Sequence, residues 1–214
     1  MNTNQIQYYS QRAKENEKIY TLPERQKNLS DITDFLKEKF SKKEIFEIAC
    51  GTGYWTQFIS ETAKSIFATD INTSVLDIAR SKKYSCPVKF QESDIFNLSL
   101  IDRTFNSGFA GFIWSHIHRQ ELPAFIVQFL SKINKGGLVV FIDNLYVEGS
   151  STPLDQMDQF GDTYQNRKLE NGDKFTVIKN YPTDSEIENL INPVGININI
   201  NKLDYFWILT FNKK

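Results

Sequence analysis

Glu47-Ile48-Ala49-Cys50-Gly51-Thr52-Gly53 sets two glycines one residue apart at the end of a short apolar run, Lys43–Cys50. A strand that turns into a helix at such a point lies at the carboxyl edge of a sheet, where open α/β folds bind ligands. The glycines let the backbone approach a ligand closely. Two acids recur at matching places. Asp70 closes a second strand, 23 residues after Glu47, and Asp94 closes a third, 24 residues further on. A carboxylate at the first position can accept both hydroxyls of a ribose. One at the second can accept the 6-amino group of adenine. Each feature has a plainer reading when taken singly: a tight turn, a helix cap, a solvated loop carboxylate. Their repetition at three successive strand ends points to a nucleotide-like site.

The elements that must position these residues follow from the apolar periodicity. Residues 1–22 read as helical and mostly polar, and Pro23 suits a first helical turn. Leu29, Ile32, Phe35, Leu36 and Phe40 then recur at helical spacing. From Lys43 the pattern alternates. Strands are expected at Lys43–Cys50, Ser65–Thr69, Val88–Gln91, Phe105–Gly111 and Leu138–Ile142. Helices are expected at Gln57–Ala63, Asn72–Lys82 and Leu122–Ile133, the last stopped by Lys135-Gly136-Gly137. Such alternation predicts a doubly wound, mostly parallel sheet. The last third differs. A hairpin is expected from Gln165–Leu169 and Phe175–Asn180 around Asn171-Gly172-Asp173, then a helix at Asp184–Ile191 and antiparallel strands at Ile196–Ile200 and Tyr205–Phe211.

Composition narrows the function. Lys and Arg number 25 against 26 Asp and Glu, so the net charge of −1 gives no global pull toward nucleic acid or an anionic membrane. No apolar run approaches the roughly 18–20 residues of a membrane span, and the polar N-terminus lacks the apolar stretch of a signal peptide. Two cysteines, Cys50 and Cys86, make neither a disulfide framework nor a metal cluster, and suit reduced thiols in a cytoplasmic protein. Two histidines, His116 and His118, exclude a His-rich metal site, and no metal is expected.

The motifs together resemble those of the class I S-adenosylmethionine-dependent methyltransferases. EIACGTG looks like the first motif of that family, ATDIN the second, ESDIF the third and FNSGFAGFIWSHI the fourth. The resemblance covers roughly residues 44–145, and the terminal strand pair is similar to the antiparallel sixth and seventh strands of the family. It implies S-adenosyl-L-methionine as cofactor and S-adenosyl-L-homocysteine as product. By resemblance, Glu47, Ala49, Gly51, Thr52 and Gly53 meet the methionine part, Asp70 and Ile71 the ribose, Asp94 and Ile95 the adenine, and Ala110, Gly111 and Phe112 the sulfonium. A dinucleotide dehydrogenase shares the first half of the pattern, but its third glycine is replaced here by Thr56.

The resemblance also gives a domain plan. It consists of a helical lid over 1–42, a cofactor-binding core over 43–145, a substrate-cover insertion over 146–183, and a terminal helix and strand pair over 184–214. In similar enzymes an N-terminal segment covers the cofactor, which makes Tyr9, Arg12, Tyr20 and Arg25 candidates here, with an arginine able to pair with the methionine carboxylate. The plainer reading is an amphipathic helix with solvated charge. Trp114, His116, Asn144, Tyr146 and Tyr164 are candidates for the acceptor side. His116 could serve as a general base or could merely orient a neighbour. Trp114 could instead be core.

No Asn-Pro-Pro-Tyr follows the fourth strand, where Gly111-Phe112-Ile113-Trp114 stands, which argues against base or glutamine amino methylation. The expected reaction is in-line methyl transfer to a small-molecule acceptor, by a monomer or homodimer without nucleic-acid or membrane partners. Action on protein or RNA, and cofactor binding without catalysis, are the alternatives.

Overall fold

The computed structural model describes residues 3–214, without the side chains of residues 3, 4 and 14–16. The first two residues of the expected N-terminal helical segment lie outside the described residues. Helix α1 (Thr3–Gln11) is followed by 3-10 turns over Ala13–Thr21 and Pro23–Arg25, then by α2 (Gln26–Lys39). The core alternates as β1 (Glu44–Ile48), α3 (Tyr54–Ser60), β2 (Ser65–Asp70), α4 (Thr73–Ser81), β3 (Val88–Glu92), β4 (Phe105–Gly111), α5 (Leu122–Ser131) and β5 (Ile133–Asn144). An insertion carries β6 (Gln156–Met157), β7 (Thr163–Lys168) and β8 (Lys174–Ile178), and the chain ends with α6 (Asp184–Ile191), β9 (Gly195–Lys202) and β10 (Phe206–Lys213).

The main sheet has seven strands in the order β3-β2-β1-β4-β5-β10-β9. The first five are parallel, and β10 runs antiparallel to both β5 and β9. The order reverses between β1 and β4, so a crevice opens above their carboxyl ends. Alternate side chains of β1 serve opposite faces. Ile45 joins Ile32, Leu36, Phe40 and Ile59 under α2 and α3, whereas Phe46 and Ile48 join Phe105, Phe129 and Phe141 under α5. With both faces covered, the central strands are buried as a parallel sheet requires. Helix α6 carries a full capping box, Thr183 with Glu186.

Two expectations are corrected. Helix α3 begins at Tyr54 rather than Gln57, because Gly53, at φ 74, ends the loop directly at the helix start. The Lys135-Gly136-Gly137 run does not stop a helix; α5 ends at Ser131 and β5 has already begun. Between Phe105 and Ser107 of β4 the facing residues of β5 jump from Ile133 to Leu138, so the run forms a bulge. Gly136 sits there at φ 76, and a Cβ on Gly137 would lie 2.6 Å from the Ile133 side chain. The expected hairpin forms as β7-β8, and the short β6 adds a third antiparallel strand beside β7. Two residues of β6 are too few to show a period.

Candidate active site

A cavity of about 580 Å³ lies above the carboxyl edge of β1, β2 and β4, between the N-terminal segment and the three-stranded sheet. Its floor is the loop after β1. Ala49 (φ 55), Gly51 (φ 56) and Gly53 (φ 74) all take left-handed backbone there, and Phe112 (φ 60) does so just past β4. A left-handed alanine and phenylalanine are strained, and such strain clusters at ligand sites.

Two buried carboxylates face this floor. Asp70 accepts the Gly51 amide through Oδ2 and the Asn72 amide through Oδ1, both at 2.9 Å, tying the glycine loop to the end of β2. Burial raises its pKa, while those amides oppose the rise. Each oxygen keeps a lone pair for a ligand hydroxyl. Glu47 is 2% exposed and accepts one hydrogen bond, from Thr56 Oγ1 at 2.7 Å. Burial, with Asp70 nearby, pushes it up to about 8. An arriving ammonium group would supply the missing counter-charge. The donor set therefore fits the amino and ribose groups of the expected cofactor.

The N-terminal segment forms one wall. Tyr20 stacks on Tyr54 with ring centroids 3.8 Å apart and meets Trp55 and Phe112 edge-on. Glu17 accepts from Thr52 Oγ1 at 2.7 Å and pairs with Lys82, which pins the segment to the glycine loop and α4. Arg25 is buried, lies over the Tyr205 and Phe206 rings and donates to Ser150 Oγ at 3.2 Å. Its Nε has no partner among the described residues.

The opposite end is a buried polar cluster. Lys179 Nζ donates to Ser115 Oγ at 2.7 Å and pairs with Asp143 Oδ1 at 3.2 Å. Asp143 also accepts the Ser115 amide at 2.9 Å and the Asn144 amide at 2.7 Å. Burial alone would raise the Asp143 pKa, but Lys179, His116 and those amides hold it below the usual carboxylate value. Burial pulls Lys179 down to about 8 against the attraction of Asp143. His116 Nδ1 lies 2.7 Å from the Ile178 carbonyl, which can only accept, so Nδ1 carries the proton. Nε2 then accepts from the Tyr9 hydroxyl at 2.8 Å. Burial first, then the Lys179 charge, holds the His116 pKa well below 6.5, so the ring is neutral.

The cavity wall brings together Tyr9, Arg12, Tyr20 and Arg25 from the N-terminal segment with Glu47, Ala49, Gly51 and Thr52 from the first motif. Asp70, Ile71, Ile95, Gly111, Phe112, His116 and Asn144 also reach it. Six expected residues do not line the cavity, for reasons the packing supplies. A Cβ on Gly53 would lie 2.5 Å from the Tyr84 hydroxyl and 3.1 Å from the Ala79 Cβ, so this glycine faces α4. Asp94 accepts the Phe96 amide at 2.9 Å within its own turn. Ala110 is buried in β4. Trp114 is core, edge-on to Phe141 and Trp207. Tyr146 is exposed and packs on Tyr181, and Tyr164 donates to Asp158.

Sequence reasoning passed over Tyr54, Asn72 and Tyr181, which do line the cavity. Asn72 follows Asp70 by two residues and could have been found from that spacing. Tyr181 follows the end of β8, and only the folded insertion places it here. No helix among the described residues is long and apolar enough to cross a membrane.

Comparison with known proteins agrees with this geometry. Residues 45–137 match the methyltransferase domain family model. An uncharacterised methyltransferase of Oceanobacillus iheyensis is 20% identical over 176 residues, 81% of this chain and 78% of that protein. The malonyl-[acyl-carrier protein] O-methyltransferase of Serratia marcescens is 23% identical over 125 residues, 58% of this chain and 44% of the relative. Among solved structures, a DhpI-SAM-HEP complex superposes with a TM-score of 0.81 at 23% identity, covering 98% of this chain and 96% of that one. The family match over residues 45–137 and the sheet order support a class I S-adenosylmethionine-dependent methyltransferase.

Proposed function

We propose that the chain transfers the methyl group to a small-molecule acceptor. The carrying observation is the roof. Helix α1 and the β6-β7-β8 sheet pack on each other through Tyr8, Leu169 and Val177 and wall the cavity beside His116. A cavity of about 580 Å³ fits the 300–1,000 Å³ range of small-ligand sites, and here it must also hold the cofactor. That leaves room for a compact acceptor and little for a polymer segment. The solved DhpI-SAM-HEP complex, with a similar fold over nearly the whole chain, agrees with a site that takes cofactor and a second ligand together.

In this reading residues 1–42 act as the lid, 43–145 as the cofactor-binding core and 146–183 as the acceptor cover. Gly51 and Thr52 offer close backbone approach, Asp70 the ribose contact, and Glu47 the contact to the amino group. Bound cofactor supplies a methyl group already activated by its sulfonium. The chain's contribution is alignment and exclusion of water, which can supply about 7–11 kcal/mol. Tyr20, Trp55 and Phe112 form a dry wall beside the expected transfer point. His116 is a positioning residue: with Nδ1 on Ile178 and Nε2 on Tyr9, it orients the Tyr9 hydroxyl.

The test is to incubate the protein with methyl-labelled S-adenosylmethionine and a cell extract and to separate small molecules from macromolecules. Label in the small-molecule fraction is expected. Label confined to protein or RNA would overturn the small-molecule reading.

A further inference from the structure

We propose that the acceptor carries a compact oxyanion, a carboxylate or a phosphoryl-type group, held among Arg167, Lys179 and Arg25 at the end of the cavity under the three-stranded sheet. This deepens the methyltransferase reading and rests on it.

All three cations line the cavity. Arg167 is on β7 and Lys179 follows β8, while Arg25 is tied through Ser150 to the loop that leads into the same sheet. Arg25 and Lys179 are only 7% and 4% exposed. Buried cations are costly unless paired. Yet among the described residues no carboxylate pairs with Arg25 or Arg167, and the Arg167 guanidinium donates through Nε and Nη2 to the neutral Gln165 Oε1 at 3.2 and 2.7 Å. Lys179 alone has an acid, Asp143, which also receives Ser115 and Asn144. Glu24 reaches Arg25 only through the shared Ser150 hydroxyl, so this end of the cavity holds three positive charges against one directly paired acid. Burial lowers the Lys179 pKa most, and the nearby Arg167 and Arg25 charges add to the fall.

Donors remain unspent. Among the described residues the Arg25 Nε is buried without a partner, and one Lys179 hydrogen is left over after Ser115 and Asp143. Guanidinium groups suit carboxylate and phosphoryl oxygens in two-point contact. The other buried acids, Glu47 and Asp70, are at the glycine loop and match the cofactor's amino and hydroxyl groups. Arg12 remains to meet the cofactor carboxylate. Because the cofactor's sulfonium adds a further positive charge, an anionic acceptor balances the loaded site better than a neutral or cationic one.

The test is calorimetric titration of the protein saturated with S-adenosylhomocysteine, so that the cofactor's own carboxylate has already taken its cation. One arm uses inorganic phosphate and the other malonate, which distinguishes the two anion types. At least one is expected to bind, with affinity falling tenfold or more in Arg167→Met and in Lys179→Met. Both variants should hold S-adenosylhomocysteine within twofold, and Lys135→Met, on the distant β5 bulge, should leave anion binding unchanged. Lys179→Met strands Asp143 and can fail to fold. Arg167→Met breaks no ion pair and carries the test by itself. No binding of either anion to a wild-type protein that does bind S-adenosylhomocysteine would overturn this proposal alone. An equal loss with Lys135→Met would also overturn it. Failure of S-adenosylhomocysteine to bind would instead remove the cofactor reading beneath it.

Discussion

The Tyr9 hydroxyl lies 2.8 Å from His116 Nε2, joining the first helix of the chain to the turn after β4. Because His116 Nδ1 is committed to the Ile178 carbonyl, Tyr9 is the donor and the imidazole has no lone pair to spare. A general base must accept the acceptor's proton, and here that would first require Tyr9 to let go. Burial and the Lys179 charge also disfavour the imidazolium. The geometry thus favours positioning over proton abstraction, and an acceptor that is already ionised needs no base.

His116→Gln is accordingly expected to retain activity within about tenfold, since general-base loss costs about 10²–10⁴-fold. The wild-type kcat/KM should show no inflection near pH 6.5, because the folded pKa of His116 is well below that value. A loss beyond a hundredfold together with a titrating limb near pH 6.5 would restore the base role. Tyr9→Phe serves as the companion variant. If His116 acts through Tyr9, the two losses should be similar and the double variant no worse than either.

Asp70→Ala should weaken S-adenosylhomocysteine binding by at least tenfold, about 1.4 kcal/mol. The residue also braces the loop by accepting the Gly51 and Asn72 amides, so a melting curve must accompany the titration. A folded variant with unchanged affinity would remove Asp70 from the ribose site.

Much of this arrangement was legible in the chain. The alternating strands and helices fixed the parallel sheet, because central strands buried on both faces read as apolar runs. The glycine loop and Asp70 were legible because strand ends at a switch point are where ligands bind. The adenine role of Asp94 came from the family resemblance, and nothing in the spacing showed that its carboxylate accepts the Phe96 amide within its own turn. The Lys179–Asp143–Ser115 cluster was not legible as a cluster. Its members come from three separate segments, which no spacing in the sequence joins. Nor did the β5 bulge show, since Gly136 and Gly137 also look like a helix stop.

Glu47 gives a stability prediction. Its ordinary pKa is 4.5, and burial followed by the proximity of Asp70 lifts it to about 8, against the hydrogen bond from Thr56. A raised folded pKa means that the folded state keeps a proton which the unfolded state has released. The associated stability is full below about pH 4.5 and is lost as pH rises toward 8. By pH 7 the loss is roughly 3 kcal/mol, which corresponds to several degrees of melting temperature for a chain of this size. The unliganded wild type should therefore lose melting temperature between pH 5 and pH 8 faster than Glu47→Gln does. Saturating S-adenosylhomocysteine, whose ammonium favours the ionised carboxylate, should flatten the wild-type slope. Parallel pH profiles for the two proteins would contradict the burial of an unpaired carboxyl at this position.

Removal of residues 1–22 tests the lid. The main core does not depend on this segment, because no buried member of the two large apolar clusters comes from it and only the partly buried Tyr20 packs against one of them. What the segment supplies is local. Tyr20 stacks on Tyr54, Glu17 accepts from Thr52, Gln5 donates to the His116 carbonyl, and Tyr8 packs against Phe175 of the small sheet. The truncated protein should keep its far-ultraviolet circular dichroism and a cooperative melt. Its S-adenosylhomocysteine dissociation constant should rise tenfold or more, because the aromatic wall and the hold on Thr52 are gone. Exchange protection of the amides in β7 and β8 should also fall, since that sheet loses the Tyr8 contact that buries Leu169 and Val177. A folded truncation that binds S-adenosylhomocysteine within twofold of the full chain would show that α1 and the turns after it only decorate the surface.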